Sequence, residues 1–157
     1  MRKTIRGIEY EEEGNGVLVP VMLVREAVAK IRKPEDIFAL LQAERFEPQE
    51  CFVVFTLDAC NQVIKKHVVT KGLANQSQIH PRETYRPAIA DNSTAIMVAH
   101  NHPSGNLEAS VNDLLATRRL AEAGKVLGIP LLDHLIVSAT GFVSLRERFP
   151  DYFNPQK

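Results

Sequence analysis

Two histidines stand one residue apart in the stretch VAHNHPSGNLEASVND, residues 98–113, at the end of an apolar run that Pro103-Ser104-Gly105 interrupts. Side chains alternate along a β-strand, so His100 and His102 project to one side of it, about 7 Å apart at the backbone. Two neutral imidazoles placed in this way can converge on a single cation. A short loop then leads to Ser110 and a helix that carries Asp113 in its first turn, so a third ligand comes from a different element, as a tetrahedral site requires. Two histidines and a carboxylate leave the fourth position of a zinc ion to water, whose pKa falls toward ~7 on binding. An open donor set of this kind is the one used for catalysis, whereas structural zinc sites close with four protein ligands, usually rich in thiolate.

Hydrolysis at such a site needs a general base for the water and donors for the developing oxyanion. Glu50 stands where the first central strand begins, among apolar neighbours that would raise its pKa and suit it to proton shuttling. Strand parity can aim it across the sheet, while Glu83, the rival carboxylate, belongs on a helix surface. The same parity puts Cys51 on the opposite face from Glu50, away from the metal. Ser110 and Asp113 also form a capping box with Asp in place of Glu, a structural reason for both residues that is compatible with chemistry at either. His67, His80 and His134 are expected to be ordinary hydrogen-bonded histidines, with His134 in the core.

The elements that must hold these residues can be read from the pattern. Residues 1–19 carry the acidic run Glu11-Glu12-Glu13 and the turn signal Gly14-Asn15-Gly16 between two short segments suited to edge strands. Pro20 to Arg32 reads as a short helix, and Pro34 opens a second one, PEDIFALLQAERF. Glu50 to Leu57 is an apolar strand covered on both faces, which Asp58 to Gln62 turns into a partner strand beginning at Val63. Residues 80–92 suggest a helix that Pro87 should kink or shorten. Thr94 to His102 is a strand, Ser110 to Leu127 is a helix closed by Gly128, and PLLDHLIVS and GFVSL are two final strands. The order strand, strand, helix, strand, helix, strand, strand implies an α/β (α+β) fold with a mixed sheet flanked by helices.

Composition sets the outer limits. Nineteen basic residues balance nineteen acidic ones, which removes the bulk electrostatic attraction behind non-specific nucleic-acid binding. No stretch approaches the ~20 apolar residues of a membrane span. Two cysteines, Cys51 and Cys60, do not make a disulfide framework, so a reducing, cytoplasmic setting is expected.

His100-x-His102, seven residues, Ser110, two residues and Asp113, with an upstream glutamate, resembles the JAMM (MPN+) metalloprotease signature. HNHPSG followed by EAGKVLGIPLLDHLIVS is similar to the RadC branch of that family, and the resemblance runs from about Pro34 to Leu145. It implies a single globular unit with an N-terminal extension at 1–33 and a RadC-like JAMM/MPN domain at 34–157. By the same resemblance the fold is like that of cytidine deaminases, the cofactor is Zn2+ held by His100, His102 and Asp113, Glu50 is the general acid/base, and Ser110 donates its hydroxyl to the oxyanion. The expected partner is a peptide or isopeptide substrate, with no membrane role. RadC-like proteins are also commonly described as DNA repair factors, so a non-catalytic zinc-binding module associated with DNA repair or mobile-element processes is the alternative. This chain departs from the family pattern at Ala109, where a second proline is usual, and in lacking any helix-hairpin-helix resemblance in residues 1–33. A nucleobase deaminase would need H-x-E and P-C-x-x-C, which are absent, and the tripeptide His100-Asn101-His102 lacks the two-strand-and-helix context of the nuclease motif it spells.

Overall fold

The computed structural model describes residues 2–5, 8–12, 18–20, 29–72 and 79–154. The first three of these segments are strands, β1 (Arg2–Ile5), β2 (Ile8–Glu12) and β3 (Leu18–Pro20), paired antiparallel in that order. Gly14-Asn15-Gly16 and most of the helix expected at Pro20 to Arg32 lie outside the described residues. Where that stretch is described it is not helical. Lys30 forms an antiparallel bridge with Gln62, and the Ile31 and Val63 amides donate to the Asn61 and Ala29 carbonyls at 2.8 and 2.9 Å. Backbone pairing with the hairpin has overridden the local helical pattern.

The second expected helix is two short ones, α1 (Pro34–Ala39) and α2 (Gln42–Arg45). At Leu40 and Leu41 the amides bond three residues back rather than four, which tightens the chain and separates the two turns. The break lets Arg45 reach the carbonyls of Ser138 and Ala139, while Ile37 and Leu41 remain fully buried.

The main sheet has five strands in the order β5-β4-β6-β7-β8, where β4 is Cys51–Leu57, β5 Val63–Lys71, β6 Ala95–Asn101, β7 Leu131–Val137 and β8 Phe142–Ser144. Pairing is antiparallel except between β6 and β7, so the sheet is mixed, as the order of elements requires. The parallel pair is joined through α4 (Val111–Leu127). Helix α3 (Pro81–Ala90) keeps Pro87 inside it, with Tyr85 and Ala88 anchoring the turn on either side in the core.

Strand parity divides the core into two layers. Phe52, Val54, Ile96 and Val98 pack with Tyr85, Leu120 and Ala121 of α3 and α4, while Val53, Phe55, Met97 and Ala99 pack with Ile37 and Leu41 on the other side. Every residue of β4 and β6 is buried. A strand covered on both faces carries no polar alternation, and its polar exceptions therefore mark special positions. In β6 those exceptions are His100 and Asn101, at its carboxyl end.

Helix α4 ends on Gly128, whose φ of +71° is the left-handed conformation that glycine adopts without strain, and the Ile129 amide returns to the Gly124 carbonyl at 2.9 Å. Gly124 is there for a different reason. A Cβ at this position would meet the Tyr85 hydroxyl and, at 2.5 Å, the Ile129 carbonyl. Gly124→Ala would gain ~1 kcal/mol of helix propensity but overpack a contact with backbone that cannot rotate away. A net destabilisation of roughly 1–2 kcal/mol is expected, read as a lower midpoint in chemical denaturation; an unchanged or higher midpoint contradicts the packing described.

Candidate metal centre

His100 and His102 leave the end of β6 on the face shared with Phe52, and their rings meet with centroids 4.8 Å apart. The two Nε2 atoms are 2.9 Å apart. Phe52 lies opposite His100 across the β4–β6 ladder, so Glu50, two residues earlier on the same face, comes alongside the histidine pair. Its Oε1 is 4.0 Å from His100 Nε2, and ligand atoms of Glu50, His100 and His102 all lie within 4.8 Å of one another.

Asp113 closes the group from α4. Ser110 caps that helix, its hydroxyl accepting the Asp113 amide at 3.0 Å while Asp113 Oδ2 accepts the Ser110 amide at 2.8 Å. This reciprocal cap turns the carboxylate back toward the strand, and Oδ1 lies 3.3 Å from His100 Nε2 and Oδ2 3.6 Å from His102 Nε2. Two helix-start residues are thereby committed to the histidines.

The donor chemistry suits a cation. His102 Nδ1 is 2.6 Å from the Asn106 carbonyl oxygen, which can only accept, so Nδ1 carries the proton and Nε2 presents a lone pair. Asp113 Oδ1 is buried without a hydrogen-bond partner, an arrangement that costs ~1–3 kcal/mol or more unless something positive faces it. Acceptors converge here from a strand and a helix. Glu50, His100 and His102 form a group that could hold a metal ion, and Asp113, the expected third ligand, is a second carboxylate beside both histidines.

Residues 31–149 match the family model for the RadC-like JAB domain. The chain belongs to the RadC-like JAB domain family. It is similar to proteins named UPF0758 protein from Clostridium perfringens, at 45% identity over 78% of this chain and 54% of that one, and from Methanosarcina acetivorans, at 40% identity over 79% and 55%. A third, from Listeria innocua, is 46% identical over 75% of this chain and 53% of its own. The chain thus spans about half the length of the curated relatives it matches.

Within this RadC-like JAB domain the two carboxylates differ in setting. The Asp113 side chain is fully buried, whereas Glu50 is 25% exposed and lines a cleft of about 420 Å³ with His102, Ser104, Glu108 and Ser110. Glu83 is elsewhere, exposed on the first turn of α3 and paired with Arg82 at 3.2 Å. Cys51 packs into the layer opposite the histidines, and burial pushes its thiol up, as its parity with Glu50 requires. His80 caps α3 and His67 pairs with Asp91 at 2.6 Å, both ordinary structural roles. No helix among the described residues is long and apolar enough to cross a membrane.

His134 is a core histidine, fully buried as expected, but its neighbours are not ordinary. Its Nε2 is 2.7 Å from His100 Nδ1 and its Nδ1 2.7 Å from Thr117 Oγ1. Burial holds its pKa well below the usual histidine value, so it is neutral near physiological pH. The sequence offered one weak signal, an imidazole beside Asp133 in a strand whose other residues are apolar.

Zinc titrated into metal-free protein should bind with about one ion per chain. His100→Ala, His102→Ala and Asp113→Ala should each weaken binding by at least about tenfold, since a three-ligand site loses a third of its donors. Cys51→Ser should leave the affinity unchanged; loss of zinc in that variant would mean a site closed by thiolate.

Proposed function

We propose that this RadC-like JAB domain is a zinc-dependent hydrolase that cleaves amide or isopeptide bonds of a peptide substrate. The observation that carries the reading is the unequal placement of two carboxylates around one histidine pair, one sealed and the other open to a cleft. A zinc ion held by His100, His102 and Asp113 would supply a Lewis acid and lower the pKa of water in the cleft.

Asp113 suits the ligand role because its carboxylate is fixed by the helix cap and cut off from solvent. Glu50 suits proton transfer. It reaches the same centre from the strand side while remaining accessible, so it can take a proton from water and return it to a leaving amine. Ser110 opens onto that cleft from the N-cap, and a hydroxyl can accept the Asp113 amide while donating its hydrogen to a carbonyl oxygen that becomes tetrahedral. Family membership supports this division of roles.

Glu50→Gln is nearly isosteric and leaves the other three residues untouched. Zinc affinity should stay within about threefold of wild type while cleavage of a peptide or isopeptide panel falls by roughly 10²–10⁴-fold, the usual share of a positioned general base. Cleavage at the wild-type rate would remove Glu50 from the chemistry. Failure of zinc-loaded wild type to cleave any member of the panel, with unimpaired binding of a partner in the presence and absence of zinc, would favour the non-catalytic module.

A further inference from the structure

The hydrogen bonds behind His100 have a direction that can be worked out one proton at a time. Thr117 Oγ1 is 2.7 Å from the Asp113 carbonyl oxygen and 2.7 Å from His134 Nδ1. A carbonyl cannot donate, so the single hydroxyl proton of Thr117 goes to Asp113. Thr117 therefore accepts from His134, and Nδ1 of that ring carries its proton. A neutral imidazole has only one, which leaves His134 Nε2 an acceptor. The 2.7 Å contact between His134 Nε2 and His100 Nδ1 must then take its proton from His100. With its proton on Nδ1, the neutral form of His100 presents a bare Nε2 to His102 and Asp113.

We propose that Thr117 and His134 are positioning residues, a relay that fixes the tautomer of His100 and so prepares its Nε2 as a donor to a cation. The relay starts on the backbone carbonyl of Asp113, whose own carboxylate faces the atom the relay sets. Helix α4 thus supplies both a ligand and, one turn later, the hydroxyl that orients another ligand. All three relay side chains are buried, His134 and Thr117 fully, so water does not offer substitute partners. His102 needs no relay because the Asn106 carbonyl performs the same task directly.

The inference concerns the same site as the proposed hydrolysis but is tested in metal-free protein, so the two can fail separately. In the full chain labelled with ¹⁵N-histidine, two-bond ¹H–¹⁵N correlation at mildly alkaline pH should show His100 protonated on Nδ1 with a bare Nε2. Thr117→Val keeps the shape but removes the acceptor for His134, and should shift His100 toward a mixture that includes the Nε2–H form. Zinc affinity in a competition titration should fall about 10–100-fold, the usual effect of losing an outer hydrogen-bond partner. Thr117→Ser should restore both. A wild-type His100 protonated on Nε2 overturns the proposal without recourse to any variant. A folded Thr117→Val protein with an unchanged His100 tautomer overturns it as well, whether or not its zinc affinity drops, because the hydroxyl would then serve packing alone.

Discussion

The Nε2 atoms of His100 and His102 are 2.9 Å apart, and the tautomers proposed above leave both without protons, so that the two lone pairs repel unless positive charge lies between them. Much of the surrounding structure is explained by what it takes to hold them there. His100 sits at the carboxyl end of β6, a central strand with β4 on one side and β7 on the other, so its backbone is fixed from both edges. The next residue contributes too. Asn101 points to the other side, where its amide oxygen accepts the Cys51 amide at 2.6 Å and its nitrogen donates to the Gln49 carbonyl at 3.0 Å. This pins the segment carrying Glu50 to the strand carrying the histidines.

Such an arrangement works against stability when the centre is considered alone. A fully buried carboxylate with one oxygen unpartnered and two lone pairs aimed at the same point are each costly, and a well-packed apolar core would avoid both. The expense is offset locally. The capping bonds between Ser110 and Asp113 would exist at a helix start in any case, and the apolar layers above and below β4 and β6 supply the burial that keeps the strand ends in place.

The sequence disclosed those features that are periodic or local. Parity in β4 separated Glu50 from Cys51, the Ser110–Asp113 cap and Gly128 bounded α4, and the uninterrupted apolar run of β4 identified it as covered on both faces. Features that depend on distant partners stayed hidden. Lys30 is extended because Gln62 is available to pair with it, and residues 34–46 divide into two turns where the carbonyls of Ser138 and Ala139 accept Arg45. His134 reads as a core histidine in its strand; only the packing of α4 over β7 reveals that it touches His100, 34 residues away, and Thr117. Glu83 was a plausible rival to Glu50 until the register of β4 against β6 placed one beside the histidines and left the other on a helix surface.

The donors of this centre are close together along the chain, between residues 100 and 113, whereas Glu50 and His134 enter from segments on either side. The entropy of closing a loop rises only logarithmically with its length, so the strand end, the turn and the capped helix can meet at small cost and without the rest of the sheet. Glu50 requires the long-range pairing of β4 with β6, and His134 the parallel docking of β7 after α4, contacts of the kind that form late because their chain separation is large. The centre thus joins residues set by a strand end and a helix cap, His100, His102 and Asp113, to residues set by tertiary pairing, Glu50 and His134.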